Sequence, residues 1–284
     1  ASDVYKRQDQ QLGLLTGIAF AMFYVTAGIP IARWADRGNR RNIVALAIGV
    51  WSFMTAISGL VQNYVQLLLA RMGVGVGEAG GSPPAHSIIS DIFPPERRAS
   101  ALAFYSMGVN IGILFGFLAG GWLNEIFDWR TAFFVVGAPG LIIALIVRYT
   151  LREPIRGLSE QRQVETQTVP FSNVLNLLMS RPAFKHMAFG AALNAFAGYS
   201  TSSWTASFMI RSHGMSTGEL GTWLAMIMGF GGAVGVFAGG VIAERLARKD
   251  VRWYMWLPAL TGLICVPFMV CLLYTSDAAD EELR

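Results

Sequence analysis

The sequence predicts an all-α protein, a polytopic bundle of transmembrane helices, from three observations. Hydrophobic residues make up 54% of the chain and charged residues only 14%, whereas soluble domains carry about 25% charged residues. Apolar runs of about 20 residues, the length that crosses a hydrocarbon core of roughly 30 Å as a helix, recur along the whole chain. Short polar connections separate these runs, as expected of a helical membrane bundle.

These runs predict eight membrane segments, at 11–32, 43–61, 64–90, 99–122, 130–150, 184–210, 216–243 and 252–270. The connection after residue 150 is long and polar, so it separates an N-terminal bundle (9–150) from a linker (151–183) and a partial C-terminal bundle (184–270). One apolar helical face in the linker is formed by Phe171, Val174, Leu175 and Leu178. This face suits either an interfacial helix at the cytoplasmic ends of the bundle or an ordinary amphipathic linker.

The two ends of the sequence are expected to be foreign to the protein. DNA encoding the first eight residues, ASDVYKRQ, encodes CLLYTSDA when its reverse complement is read one base on, and that string stands at 271–278. Residues 1–8 and 271–284 therefore resemble a translated sequencing adapter on both ends of a DNA fragment, which would leave a truncated protein between them. Synonymous codons that break this complementarity in the source DNA would contradict the hypothesis.

The distribution of lysine and arginine predicts the orientation, because the transfer of positive charge across the membrane is disfavoured. Alternate loops carry sixteen of these residues, whereas the opposite side carries only Arg130 and Arg211. The loops rich in arginine, and the linker with them, are therefore expected in the cytoplasm.

Two of the cytoplasmic loops repeat one pattern. ARWADRGNRR (32–41) follows the first span and GVIAERLARK (240–249) follows the seventh, and parallel repeats of this kind are one of the known transporter architectures. The pattern could form a latch that engages neighbouring helix ends in one state, or a solvated basic loop that only sets topology. The candidate gating residues are Asp36, Arg37, Arg40, Arg41, Glu244 and Arg245.

The string around Asp36 resembles the signature loop between helices 2 and 3 of the major facilitator superfamily, Gly-x-x-x-Asp-Arg-x-Gly-x-Arg-Arg, with Ala32 and Asn39 in place of its two glycines. Its second copy resembles the loop between helices 8 and 9. The resemblance implies a truncated major facilitator fold that contains about helices 2–9 of twelve. A narrower resemblance, carried by RMGVGVGEAGGSPPAHSIISDIFPPERR (71–98), is to the spinster branch of lysolipid and sphingolipid transporters and their bacterial relatives. It implies a bacterial inner-membrane protein.

The stretch LLLARMGVGVGEAGG (67–81) contains the pattern G-x-G-x-x-G, but a dinucleotide-binding turn would need a βαβ unit. A strand exposed to lipid would leave backbone groups unpaired, so a helix is expected instead. At 100° per residue, Arg71, Gly75 and Glu78 lie within about 60° of one another. The other side of this helix carries glycines suited to close packing, Gly73, Gly77, Gly80 and Gly81. Gly75 is expected to leave room beside the two charges.

Arg71 and Glu78 are the main site candidates, because an Arg or Asp at the membrane centre costs about 2.5–3.5 kcal/mol. We expect Glu78 to bind a proton, with Arg71 as its partner or as the anchor of an anionic substrate, and the spinster resemblance implies functional roles for both. The alternative is a buried ion pair that only fixes helix packing.

Further side chains could line a cavity, although hydroxyls can equally bond to backbone carbonyls. These are Tyr24, Tyr105, Asn110, Asn194, Tyr199, Ser202 and Trp204. Glycines at every fourth residue, Gly108 to Gly120 and Gly231 to Gly239, are expected to form close-packed interfaces. The three histidines are scattered over different depths, so no catalytic set, metal site or cofactor is expected.

The predicted function is proton-coupled secondary transport of a lysolipid-like or other amphiphilic anion by a monomer in a lipid bilayer, with no nucleic-acid partner. Transport of a small organic anion such as a sugar acid is the first alternative. A membrane receptor or enzyme that uses the bundle as a scaffold is the second.

Overall fold

The computed structural model describes residues 9–160 and 170–281. Over these residues the chain forms ten α-helices, which confirms the predicted fold class. They are α1 Asp9–Arg37, α2 Arg40–Ser58, α3 Tyr64–Ala79, α4 Ser82–Ile92, α5 Pro95–Ile126, α6 Trp129–Thr150, α7 Phe171–Met179, α8 Pro182–His213, α9 Thr217–Ala247 and α10 Trp253–Glu281. Segments of π-helix interrupt α1 at Leu14–Ile18 and α9 at Ala225–Gly231. Three ranges lie outside the described residues: 1–8, 161–169 and 282–284. The first is one expected adapter segment, the second belongs to the linker, and the third is the end of the other expected adapter segment, 271–284.

Six of the described helices are long and apolar enough to cross a membrane: α1, α2, α5, α6, α9 and α10. The predicted spans 64–90 and 184–210 are helical but do not meet this criterion. Span 64–90 is divided between two shorter helices, and α8 carries the polar stretch NAFAGYSTSSWT (194–205).

The division of span 64–90 follows from its own residues. Pro83 and Pro84 have no N–H to donate to the preceding turn, and they stand in the first turn of α4, where these donors are unpaired in any helix. Gly80 and Gly81 close the end of α3 by donating to the carbonyls of Gly77 and Glu78, both at 3.0 Å. The span therefore bends at the two glycines instead of continuing as one helix.

Polar caps fix where three of the membrane helices begin. Each cap side chain accepts a hydrogen bond from the backbone N–H three residues later, which satisfies one of the unpaired donors of the first turn. These caps are Asn39 before α2, Asp128 before α6 and Ser216 before α9. Asn63 does the same for α3.

The described residues of 9–105 and 126–207 form one compact unit. At its centre, α2 packs closely against α3 and α6. A Cβ added to Gly137 of α6 would lie 2.6 Å from the backbone N of Ala56 on α2, so the two helix backbones touch there. Glycine permits this approach because it has no side chain.

The described residues of 106–125 and 208–281 form the second compact unit. Within this unit α5 and α9 approach at glycines. A Cβ on Gly221 would lie 2.5 Å from the carbonyl oxygen of Phe117, and one on Gly229 would lie 2.6 Å from Cα of Leu114. The glycines that recur at every fourth residue, Gly108 to Gly120 and Gly231 to Gly239, were expected to form close helix contacts, but within the described chain they do not form them. Among described residues, nothing outside its own helix lies within 4 Å of a Cβ built on Gly108, Gly112, Gly116, Gly120, Gly235 or Gly239.

The apolar face predicted in the linker lies on helix α7, Phe171–Met179. Every residue of α7 is exposed. Both hypotheses for it, an interfacial helix and an amphipathic linker, are compatible with this exposure.

Candidate functional site

Helix α3 presents its glycines to α2, as predicted. A Cβ on Gly77 would lie 2.6 Å from the backbone N of Trp51, and one on Gly73 would lie 2.7 Å from Cγ of Met54. Gly80 and Gly81 likewise face α2, at Ala47 and Trp51. Larger side chains at these positions would push the helices apart, so this face fixes the rotation of α3 about its axis.

The other face of α3 lies against α1, and Gly75 has a different role from the one expected. A Cβ on Gly75 would lie 2.9 Å from the carbonyl oxygen of Phe20. Gly75 therefore does not leave open space beside the two charges, because the backbone of α1 fills it. The physical reason is that the residue is small enough for two helix backbones to meet there.

Arg71 and Glu78 stand on this face, on either side of the contact with α1. Arg71 is half-buried and its Cζ lies 5.7 Å from the centroid of the Phe20 ring, in the range of a cation–π contact. Glu78 is exposed. Seven residues separate them, a rise of about 10 Å along the helix, and among described residues no hydrogen bond or ion pair is made by either side chain. A direct ion pair that fixes helix packing is therefore absent from this conformation of the described chain.

One of the candidate cavity residues lies near Glu78, and two others lie near that residue. Tyr24 of α1 is within electrostatic range of Glu78, of Tyr105 on α5 and of Tyr199 on α8. Tyr105 also packs edge-on against His86, with ring centroids 5.2 Å apart. Of these residues, Tyr24 interacts with Glu78 itself, whereas Tyr105 and Tyr199 interact with Tyr24.

The remaining cavity candidates are not gathered at this point. Trp204 contacts α1, since its Cζ2 lies 3.6 Å from a Cβ built on Gly13. Asn194 and Ser202 are exposed, and Asn110 belongs to the second unit, next to Gly232. One hydroxyl of the polar stretch, that of Thr205, bonds to the carbonyl of Thr201 at 2.7 Å, as the alternative hypothesis expects.

A second cluster lies at the start of α2 and the end of α4 and is centred on Arg40, which is 1% exposed. Its Nε donates to Oε1 of Glu153 at 2.8 Å, and its Nη1 donates to Ser87 Oγ at 2.8 Å and forms an ion pair with Asp91. Its Nη2 donates to the carbonyl of Pro154 at 3.0 Å. One guanidinium therefore joins the start of α2, the end of α4 and the segment that follows α6.

This cluster extends along the segment after α6. The backbone N–H of Arg41 donates to Glu153 Oε2 at 2.8 Å, and that of Gly157 donates to Asp91 Oδ1 at 3.0 Å. Arg156 donates to the carbonyls of Ala35 and Gly38, at 2.7 and 2.9 Å. The loop between α1 and α2 is thus held by a segment more than a hundred residues away.

The electrostatics of the cluster are visible at Glu153. Burial alone would raise the pKa of this carboxyl, but the hydrogen bonds from the backbone of Arg41 and the guanidinium of Arg40 outweigh it and lower the pKa below its usual value. Glu153 is therefore ionised at neutral pH.

The other predicted gating residues are placed differently. Asp36 and Arg37 are exposed, and no ion pair involves them among described residues. In the second copy of the motif, Glu244 pairs with Arg248 at 2.9 Å on the surface of α9, and Arg245 is exposed. Sequence reasoning missed the three residues that hold the first loop: Asp91, Glu153 and Arg156. The string REPIRG (152–157) was a possible signal, because it places an acid and a base directly after α6.

The chain is similar to a protein family, to several curated proteins and to solved structures. A model of the Major Facilitator Superfamily matches residues 4–279. An MFS-type efflux pump of Mycolicibacterium smegmatis is 33% identical over 269 residues, covering 95% of this chain and 62% of the pump. Protein spinster homolog 1 of Xenopus tropicalis is 28% identical, covering 97% of this chain and 55% of that protein.

Two further similarities are informative. A probable galactarate/D-glucarate transporter of Bacillus subtilis is 26% identical, covering 92% of this chain and 63% of its own length. The crystal structure of a bacterial homolog of the human lysosomal transporter Spinster, inward-facing and unoccupied, superposes with a TM-score of 0.72 and 40% identity, over 85% of this chain and 56% of that one. The chain spans 55–63% of the length of these three curated relatives.

Proposed function

This chain belongs to the Major Facilitator Superfamily, and on that basis we propose that the protein is a secondary active transporter that works by alternating access. The expected family and the resemblance to the spinster branch are confirmed by the matches, and the family is one of transporters and not of enzymes. The protein is an integral membrane protein, and its bacterial relatives favour a bacterial inner membrane.

The observation that carries the proposal is that the two charged side chains of α3, Arg71 and Glu78, make no hydrogen bond or direct ion pair among described residues. Arg71 and Glu78 interrupt an apolar helix at a cost of about 2.5–3.5 kcal/mol for a charge at the membrane centre. Arg71 is stabilised by the Phe20 ring, but neither charge forms a hydrogen bond or ion pair among described residues. Arg71 and Glu78 still attract each other electrostatically. A charged group in a membrane that makes no hydrogen bond or direct ion pair is nevertheless available to a proton or a substrate.

In this proposal Glu78 binds the coupling proton. Glu78 is exposed, and the hydroxyl-bearing Tyr24 of α1 lies within electrostatic range of it. Arg71, two turns away, holds an anionic group of the substrate by charge-assisted hydrogen bonds. Binding of the anion near Arg71 and of the proton at Glu78 would neutralise both charges before the bundle rearranges.

The cytoplasmic cluster is the proposed latch of the same cycle. Arg40, with Asp91 and Glu153, holds the loop between α1 and α2 rigidly against the ends of α4 and α6. Asp36 and Arg37 are exposed at the end of α1, beside that loop. In this proposal they contact other helix ends in one state of the cycle and separate from them in another, together with Arg41, Glu244 and Arg245.

The substrate class is the part of the proposal with two candidates. The spinster relatives favour a lysolipid-like or other amphiphilic anion, and the similarity to a probable galactarate/D-glucarate transporter favours a small sugar acid. Both classes carry an anionic group that Arg71 can bind.

The test is proton flux in proteoliposomes that contain the intact protein and an internal pH indicator. A lysophospholipid and galactarate are supplied in separate arms. The proposal expects one of them to drive proton movement, and Glu78→Gln to abolish the dependence of uptake on the pH gradient while membrane insertion is retained. Arg71→Gln should lower the affinity for the anion, whereas Arg71→Lys should retain part of it.

Glu219→Gln is the matched control, because it removes an exposed carboxylate near the start of α9 that has no part in the proposed proton site or latch. It should leave coupled flux unchanged. Coupled transport that survives Glu78→Gln would exclude the proton role. Flux driven by neither anion, in a protein that is correctly inserted, would exclude the proposed substrate classes.

A further inference from the structure

A groove of about 650 Å³ runs between α2 and α6 on the first compact unit, away from Arg71 and Glu78. Its walls are apolar along most of their length and include Leu46, Gly49 and Phe53 of α2 and Leu145 of α6. Three of these side chains are half or more exposed: Leu46 at 54%, Phe53 at 50% and Leu145 at 58%. The groove is therefore open along its side, and an apolar ligand could enter it laterally.

The groove has the length of one membrane leaflet. Its lining on α2 extends from Asn42 to Phe53, which at 1.5 Å per residue is about 16 Å. The hydrocarbon core of a bilayer is about 30 Å thick, so one leaflet contributes about 15 Å. Asn42 stands at the cytoplasmic start of α2, and the groove thus corresponds in depth to the cytoplasmic leaflet.

The polar groups of the groove are gathered at its cytoplasmic end. Arg148 and Asn42 are its two polar lining residues. Asn42 accepts a hydrogen bond from Arg41 Nε at 3.1 Å, which brings a second guanidinium to the same end. Arg148 is exposed and makes no hydrogen bond or ion pair among described residues, although it lies 5.9 Å from the ring of Tyr149.

Acidic side chains do not compete for this end. No carboxylate lines the groove in the described chain, and the nearest one in sequence, Glu153, is already bonded to Arg40 and to the backbone of Arg41. Arg152, which follows the end of α6, is exposed as well. The cytoplasmic end is thus a cluster of hydrogen-bond donors with positive charge next to an apolar channel.

We propose that this groove is a binding site for an anionic phospholipid of the cytoplasmic leaflet, with one acyl chain between α2 and α6 and the phosphate at Arg148 and Asn42. The cytoplasmic leaflet supplies anionic headgroups, and basic pockets between transmembrane helices on that side suit them. The acyl chain covers side chains that would otherwise leave a cleft in the lipid-facing surface. The site is independent of which solute the protein carries.

The test measures the lipid that the purified chain retains in native mass spectrometry. The detergent contains either palmitoyl-oleoyl phosphatidylglycerol or the phosphatidylcholine with the same acyl chains, and the protein is released from this detergent in the spectrometer. Phosphatidylglycerol should be retained preferentially. Arg148→Gln should weaken its retention about fivefold, the effect of one basic residue near an anionic headgroup. Arg148→Lys, which keeps the charge, should retain phosphatidylglycerol within about twofold.

A second variant tests the apolar part. Gly49 lines the groove, and a Cβ built there would meet Ala144 Cβ at an ordinary 3.8 Å, so Gly49→Leu fills the channel without a backbone clash. It should reduce the retention of both lipids at this site. Two matched controls should leave the retention of both lipids unchanged. One is Arg33→Gln, at an exposed arginine on the same side of the membrane. The other is Gly262→Leu, at a helical glycine that has nothing outside its own helix within 4 Å in the described residues.

Three results would overturn the proposal. One is equal retention of the two lipids, and another is an equal loss of phosphatidylglycerol in Arg148→Gln and Arg33→Gln. The third is a dimer mass without bound lipid that Gly49→Leu removes, which would identify a second copy of the chain as the occupant. Circular dichroism of each variant verifies that the helices are intact.

Discussion

Arg40 offers the sharpest test of how the start of α2, the end of α4 and the segment after α6 are held together. It is 1% exposed, and its guanidinium bonds to Asp91, Glu153, Ser87 and the carbonyl of Pro154. In Arg40→Gln the two carboxylates would remain next to each other without their cation. Removal of one partner from a buried ion pair costs about 3–5 kcal/mol.

The structure points to the lower end of that range. The side chains of Asp91 and Glu153 are 15% and 24% exposed, so water can partly solvate them after Arg40 is removed. We therefore expect a loss of about 3 kcal/mol in the free energy of unfolding. The double variant Arg40→Gln/Glu153→Gln should lose less than the sum of the two single variants, because one of the unpaired carboxylates is then neutral. A coupling of about 0.5–3 kcal/mol is expected for residues in direct contact.

The assay is unfolding of the detergent-solubilised chain with sodium dodecyl sulfate, followed by circular dichroism. Arg37→Gln is the control, since Arg37 is exposed and makes no ion pair among described residues. The reasoning would be refuted if Arg40→Gln cost no more than Arg37→Gln, or if the effects of the double variant were additive.

The pH dependence gives an independent check on the same cluster. The folded-state pKa of Glu153 is lowered, so its stabilising contribution is complete above its unfolded pKa of about 4.3 and is lost as the pH falls through the lower folded value. The difference in stability between wild type and Arg40→Gln should therefore be constant from pH 7 to about pH 5 and decrease below about pH 4. A difference that grows on acidification would contradict this sign.

Two further predictions concern packing and capping. Gly77→Val should disrupt the contact of α3 with α2 and cost at least about 1–3 kcal/mol, because its Cβ would lie 2.6 Å from the backbone N of Trp51. Gly28→Val, where nothing outside the helix lies within 4 Å among described residues, should cost far less in the same unfolding assay. Asp128→Ala should lower the free energy of unfolding, because the carboxylate caps α6 at the N–H of Thr131. The backbone hydrogen bond from Thr131 lowers the pKa of Asp128, so this loss should be present at neutral pH and disappear as the pH falls below about 4. An Asp128→Ala loss that persists unchanged at pH 3, or equal effects of the two glycine variants, would contradict these predictions.

The helices and the glycine face of α3 were accessible from sequence because their signals are local. Apolar runs, helical spacing and turn residues act within a few positions of one another, so α1, α2, α5, α6, α9 and α10 were all expected, each with a start close to the observed one. The helix α10 extends to Glu281, past its expected end at residue 270. The break at Gly80 and Gly81 was also present in the sequence as Pro83 and Pro84. The break was not predicted because the expected span was based on the continuous apolar run and not on the N–H groups that the two prolines lack.

The candidate site could be predicted only in part. The positions of Arg71 and Glu78 on one face of a helix follow from their spacing, and their charge in an apolar run marks them as unusual. What surrounds them does not follow. The approach of α1 at Gly75, the ring of Phe20 beside Arg71 and the position of Tyr199 near Tyr24 depend on which helices are neighbours and on their rotation.

Sequence by itself determined that this is a helical membrane protein of a recognisable family, with two charges in one of its apolar helices. Tertiary structure alone decided that Arg40 is buried against Asp91 and Glu153, the latter 113 residues away, while Asp36 is exposed. The reason is physical. Helix formation depends on neighbours along the chain, whereas the partner of a charge is fixed by contacts between segments that have no periodic relation in the sequence.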